Sequence, residues 1–172
     1  MHRPLELKLF SLDQAIEVSS IAEVGVWRGD NAALLRQFFP KAHLYLVDSW
    51  NPIWYDFYKG QPISTDIDLK QARIIRDDFT QAFIETMRKF KRDPQVTILQ
   101  KTSKEAASLI PNHLDLVFID GSHDYESVKD DILNWKKKIR PGGILSGHDF
   151  HPNFPGVMQA VKDCLGDQYY VG

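Results

Sequence analysis

The stretch Leu-Asp-Leu-Val-Phe-Ile-Asp, residues 114–120, constrains the fold of this 172-residue chain more than any other. Its four successive apolar residues lack the alternation of a half-buried strand. They read as a strand buried on both faces, which belongs in a parallel sheet covered by helices. Similar runs occur at 21–26 (IAEVGV), 43–48 (HLYLVD), 95–100 (QVTILQ) and 142–148 (GGILSGH), with a sixth candidate at 168–171 (QYYV).

Amphipathic stretches separate these runs. Leu34, Leu35, Phe38 and Phe39 share one side of a helix that Pro40 stops. A long helix over about 69–91 carries Ala72, Ile75, Phe79, Phe83, Met87 and Phe90 at three- and four-residue spacing. Thr102 and Glu105 have the spacing of a capping box. Tyr125, Val128, Ile132 and Trp135 form another stripe before the turn residues RPGG at 140–143. The expectation is one α/β domain over 1–172, doubly wound around a mostly parallel sheet. Ligands of such sheets lie beyond the carboxyl ends of the strands, and there this chain places Asp120, His123, Asp124, His148 and Asp149.

Bulk properties exclude several classes. A net charge of -2 gives no electrostatic footprint for nucleic acid or an anionic membrane, and the basic run MRKFKR (87–92) reads as a solvated helix end. Cys164 is the lone cysteine, so an intramolecular disulfide is excluded and a thiolate metal cluster is not expected. Glu6 and Lys8 interrupt the N-terminal apolar residues, and no run approaches the roughly 18 residues of a membrane span. A soluble, cytoplasmic protein is the expectation.

The loop after the first strand, EVGVWRGDN, narrows the ligand. A dinucleotide fingerprint needs glycines where this chain has Trp27 and Asp30, and an acid at a helix start opposes a pyrophosphate. No Walker sequence is present. Glu23, Gly25 and Gly29 instead make a tight turn bordered by acids, suited to a ligand with a cationic part. Asp48, at the end of the second strand, stands where a carboxylate accepts hydrogen bonds from ribose hydroxyls. A nucleoside with a positively charged tail satisfies both, and S-adenosylmethionine is the leading candidate.

With these motifs in order, residues 21–150 resemble the class I S-adenosylmethionine-dependent methyltransferases, above all a small subgroup with IDGxHxY after the fourth strand. The resemblance implies a Rossmann-like methyltransferase fold. It implies that Glu23, Gly25 and Gly29 hold the methionine part, that Asp48 holds the ribose, and that Ser103 in KTS (101–103) meets the adenine edge, with Asp120 beside the cofactor. Members usually finish with an antiparallel strand pair, whereas QYYVG leaves room for one strand, so the last strand is expected to be missing or replaced.

The strand ends carry the chemistry. Asp120, His148 and Asp149 end adjacent strands about 4.8 Å apart and can converge. Such a set suits Mg²⁺ or another divalent cation, as in the metal-dependent O-methyltransferases that these motifs resemble; turn capping explains the same acids equally well. His123 is the candidate general base, since histidine titrates at about 6.5 when unperturbed. The rival reading has it only organise the helix entry. His43 and His113 read as structural or solvent-facing, and His151 is undecided. Trp27 and Trp50 flank the cleft, with packing the better reading for Trp27. The aromatic segment 50–64, with Trp54, Tyr55, Phe57 and Tyr58, reads as a substrate lid or a homo-oligomer contact. The expected activity is transfer of a methyl group to a hydroxyl of a small molecule, a sugar or a phenol. An N-methyltransferase and a non-catalytic S-adenosylmethionine-binding module are the alternatives, and a nicotinamide oxidoreductase ranks behind them.

Overall fold

The computed structural model describes residues 3–51 and 66–171, with the side chains of 66–75 left aside. The lid candidates Trp54, Tyr55, Phe57 and Tyr58 lie outside the described residues. The elements in chain order are α1 (Arg3–Asp13), β1 (Ser20–Val24), α2 (Asp30–Phe38), β2 (His43–Asp48), α3 (Asp66–Phe90), β3 (Val96–Gln100), α4 (Ser103–Leu109), β4 (Leu114–Ile119), α5 (Tyr125–Lys136), β5 (Ile139–Gly147) and α6 (Pro155–Leu165).

The five strands form one sheet in the order β3-β2-β1-β4-β5, and every pairing is parallel. The order reverses between β1 and β4, which puts the crevice of an open α/β sheet at their carboxyl ends. All six residues of β4 are buried, as a strand covered on both faces requires. Side chains alternate between the faces. Ile21, Leu116 and Phe118 join one core with α2 and α3, while Ala22, Val117 and Ile119 join the other with α4, α5 and α6.

Three differences from the sequence reading have local causes. On α3 the fully covered line is Ala82, Thr86 and Phe90, with Phe83 and Met87 beside it, because Phe83 leans on Trp50 at 5.0 Å between ring centroids. β5 begins at Ile139 and runs through RPGG, whose extra residues form a bulge: Leu114 pairs with Ile139 but Leu116 with Ile144. Residues 168–171 form no strand. α6, which the sequence reading did not place, occupies the chain up to Leu165, Gly166 turns it with φ 58°, and Tyr170 is 85% exposed, without a partner strand to order it.

The amino end of the sheet is tied by Asp115. Its Oδ2 accepts from the amides and hydroxyls of Ser19 and Ser20 at 2.8–2.9 Å, and its Oδ1 from Arg140 Nε. Burial alone would raise its pKa, but the Arg140 guanidinium and the serine donors override this and bring it down to about 2. Since the folded value is depressed, the unfolded chain takes up the proton first as pH falls. The stabilisation is therefore whole above about pH 4 and is lost as pH falls towards 2. Asp115→Asn is expected to cost about 2 kcal/mol in urea unfolding at pH 7, a gap that closes towards pH 2; an equal gap at both pH values would refute this account.

Candidate active site

The loop between β1 and α2 is shaped by crossings of backbone. Gly25 has φ 87°, and a Cβ there would stand 2.1 Å from the carbonyl oxygen of Asp120. No side chain can be tolerated at that crossing. Gly29, with φ 74°, precedes α2, and its Cβ would meet Phe90 and Thr86 of α3 at 3.1 Å. Both glycines of the motif thus answer first to the protein's own packing.

Asp48 is engaged in the same loop. Its Oδ2 accepts from the amides of Val26 at 3.0 Å and Trp27 at 2.9 Å, and its Oδ1 from that of Trp50 at 2.8 Å. The carboxylate expected to meet a ribose therefore organises the loop that would border it. Trp50 is buried, and its indole donates to the carbonyl of Trp27 at 2.7 Å. Trp27 packs edge-on to Phe79 at 4.8 Å while staying 38% exposed.

Glu23 is the anomaly of this region. Only 1% of it is exposed; Asn31 Nδ2 donates to Oε1 at 3.1 Å, while Oε2 is buried without a hydrogen-bond partner. Burial, then the nearby Asp120 and Asp48, push its pKa up to about 8 against the opposing Asn31 bond. An orphaned carboxylate oxygen at the carboxyl end of β1 is the arrangement a cationic ligand group would complete.

On the other side of the crevice four groups from two loops come together. His123 Nε2 lies 2.7 Å from Asp149 Oδ2. His148 Nδ1 stands 2.6 Å from Asp149 Oδ1 and 3.6 Å from Asp120 Oδ1, without the angle of a hydrogen bond. Burial tends to raise the pKa of Asp149, but its contacts with His148 and His123 outweigh this and hold it below the usual range. Asp120 moves the other way: burial raises it and Asp149 adds to the rise, with His148 and His123 opposing. The ligand atoms of Asp120, His123 and Asp149 all lie within 4.8 Å of one another, while His148, the third member expected from the sequence, stands against both acids through Nδ1.

α6 supports this loop. Phe154 stacks on the His123 ring at 4.6 Å, and a Cβ on Gly156 would stand 2.7 Å from the His123 carbonyl. Sequence reasoning passed over these residues, although Pro155 followed by Val157, Ala160 and Val161 signals a helix start.

Ser103, the adenine candidate, begins α4 behind the capping box of Thr102 and Glu105, which forms as read. Its hydroxyl donates to Asp131 Oδ1 and accepts from the indole of Trp135 at 2.8 Å. Asp131 is buried on α5, and burial pushes its pKa up to about 6 against the Ser103 bond. Its signal in the sequence is an acid on an apolar stripe, between Val128 and Trp135. Of the remaining histidines, His43 hydrogen-bonds Thr97 Oγ1 at 2.8 Å, His113 sits at φ 73°, and His151 Nδ1 accepts from the amide of Asn153 at 3.2 Å.

A family of methyltransferase domains matches residues 22–150, the span from β1 to the loop after β5. The chain belongs to that methyltransferase family. Its fold is that of solved class I methyltransferases. The precorrin-6y C5,15-methyltransferase of Geobacter metallireducens superposes with a TM-score of 0.59 at 13% identity, over 92% of this chain and 71% of that one. A protein of Streptococcus mutans solved in complex with SAH gives 0.62 at 13%, over 98% and 84%. CalS11, a TDP-rhamnose 3'-O-methyltransferase of calicheamicin biosynthesis, gives 0.60 at 17%, over 98% and 73%. In sequence, 60 residues are 35% identical to an uncharacterized protein of Acanthamoeba polyphaga mimivirus. That match spans 34% of this chain and only 27% of the viral protein. No helix among the described residues of this methyltransferase-family chain is long and apolar enough to cross a membrane.

The raised acid at Glu23 makes the free protein pH-sensitive. Between about pH 4.5 and 8 the unfolded chain has released a proton that the folded one keeps, so stability falls as pH rises through that window. Glu23→Gln removes the penalty and is expected to raise stability at pH 8 by on the order of 3 kcal/mol, and by much less at pH 5. A thermal melt showing the variant less stable at pH 8 would contradict this origin of the shift.

Proposed function

We propose that this protein transfers the methyl group of S-adenosylmethionine to a hydroxyl oxygen of a small molecule. The observation that carries the proposal is the pairing of two unlike sites across one crevice. A buried, unpartnered carboxylate oxygen on Glu23 offers a seat for an ammonium, and a histidine–carboxylate pair, His123 and Asp149, stands ready to receive a proton. O-methyltransfer by a structural neighbour such as CalS11 is consistent with this assignment.

When bound, S-adenosylmethionine supplies an electrophilic methyl group on a sulfonium, with a neutral thioether as leaving group. The chain supplies position and proton transfer. Glu23, steadied by Asn31, would ionise against the donor's ammonium, which ends the isolation of Oε2. Asp48 would act on the ribose mainly through the loop it holds.

Asp149 only accepts when ionised, so His123 donates from Nε2 and carries its lone pair on Nδ1. That nitrogen would take the proton of the acceptor hydroxyl as the oxygen attacks. Asp149 is then a positioning residue that fixes the tautomer and stabilises the imidazolium, with Phe154 holding the ring plane. Fixed orientation of the two reactants supplies much of the remaining acceleration.

The same residues support a metal-assisted version. Asp120, His123 and Asp149 would hold a divalent cation, which would lower the pKa of the acceptor hydroxyl; His148 would then brace Asp149. One set of assays separates the versions. With a hydroxylated acceptor, His123→Ala is expected to lower kcat by about 10²- to 10⁴-fold while S-adenosylhomocysteine affinity is unchanged. Activity untouched by a chelator supports the histidine base, and activity abolished by a chelator and restored by Mn²⁺ or Mg²⁺ supports the cation. Full activity of His123→Ala with and without metal would overturn both.

A further inference from the structure

The backbone carbonyl of Trp27 is a point of convergence that the chemistry above does not use. Two buried side chains donate to it, the indole of Trp50 at 2.7 Å and the hydroxyl of Thr86 at 2.9 Å. They belong to separate elements: Trp50 follows β2, and Thr86 stands on α3, 59 residues beyond Trp27. The amide of Trp27 is engaged as well, by Asp48 Oδ2 at 2.9 Å. Both polar backbone groups of one residue are therefore tied to other parts of the fold.

That tying holds a conformation the residue would not adopt alone. Trp27 has φ 51° and Trp50 φ 44°, left-handed values that cost free energy in a bulky side chain. Such a backbone persists only where its surroundings over-determine it, and the three hydrogen bonds to Trp27 do so. What they fix is the loop between β1 and α2. Gly29 donates to the Val26 carbonyl at 2.9 Å and lies against Thr86 and Phe90, and the first turn of α2 then brings Asn31 to Glu23.

Thr86 has a second acceptor, the carbonyl of Ala82 at 3.0 Å, one turn back on its own helix. Its hydroxyl has a single proton to share between the two. The contact with Trp27 can thus open without leaving a buried hydroxyl unsatisfied, which makes it a latch. Ion pairs of Arg28 with Asp78 and Glu85, and of Lys89 with Asp30, join the same loop to the same helix, but pairs open to solvent contribute little. The buried hydroxyl is the specific contact.

We infer that Thr86 is a positioning residue for the methyl donor: from α3 its hydroxyl latches the Trp27 carbonyl and holds the donor loop in its binding form. This rests on the donor assignment above and goes beyond it by placing control of donor affinity on α3, outside the motif residues. Donor affinity then scales with the fraction of molecules whose latch is closed.

The test is calorimetric titration with S-adenosylhomocysteine. Thr86→Val keeps the shape and removes the hydroxyl, and is expected to bind about tenfold more weakly than wild type, the effect of one lost hydrogen bond. Thr86→Ser returns the hydroxyl and is expected to recover most of the affinity. Thr80→Val removes a hydroxyl that bonds back to Arg76 on the exposed side of α3, and is expected to bind as wild type does. Trp50→Phe combined with Thr86→Val is expected to lose more than the product of the two single losses, because only the double variant leaves the carbonyl without a donor.

Full affinity in Thr86→Val, a Thr86→Ser variant as weak as Thr86→Val, an equal loss in Thr80→Val, or losses in the double variant that simply multiply would overturn the inference while leaving the donor site standing. Thr86→Ala, which also lacks the hydroxyl, takes the place of Thr86→Val if thermal melts show the latter unfolded. Wild-type protein that does not bind S-adenosylhomocysteine would instead overturn the donor assignment.

Discussion

The contact on which the rest of this structure depends is between two stretches of backbone. Gly25 and Asp120 meet where β1 and β4 end, with the Gly25 amide bonded to the Val47 carbonyl at 2.8 Å and the Asp120 amide to the Val24 carbonyl at 2.7 Å. These bonds extend the sheet by one residue on each side of the point where strand order reverses. The missing Cβ lets the two loops close to that distance, and a methyl group would force them apart. Everything that faces the crevice is referenced to this crossing, including Glu23 two residues before Gly25 and His123 three residues after Asp120.

Near that crossing the protein places a carboxylate, Glu23, that its own interior does not satisfy. Asp115, at the opposite end of the sheet, shows what a structural acid looks like: five donors, one of them a guanidinium, and a depressed pKa. Glu23 is buried more deeply still, yet its Oε2 keeps no donor and its pKa is raised. The contrast within one molecule argues that the second kind is kept for a ligand, since stability alone would have selected neutral side chains there. Asp149 falls between, shared by two histidines and held at φ 59°, a backbone conformation that costs free energy without a glycine.

Much of this was legible beforehand. The five strands, the α2 and α5 stripes and the Thr102 capping box follow from local periodicity and spacing, which survive any tertiary context. The methyltransferase family follows from motifs in order. What was not legible depends on contacts distant in sequence. α1 leaves Leu9, Phe10 and Leu12 exposed, so its apolar residues carry no clear stripe. The covered line on α3 was offset because Trp50, not the helix pattern, decides where Phe83 lies. The share of Ser103 in an internal network came from Asp131, 28 residues away.

The sequence by itself determined that a parallel sheet would form and that acids and histidines would crowd its carboxyl end, because burial pattern and strand order of appearance are local properties. It also determined which residues were available as ligands. Only the tertiary structure decided which of them face one another: His123 with Asp149, His148 braced behind them, Asp48 turned to the loop amides, and Glu23 left with an unanswered oxygen. Those outcomes rest on the Gly25 crossing and on α6 packing beneath the His123 loop. Side-chain partnerships of that kind are set by distances between loops from separate strands, and no spacing along the chain encodes them.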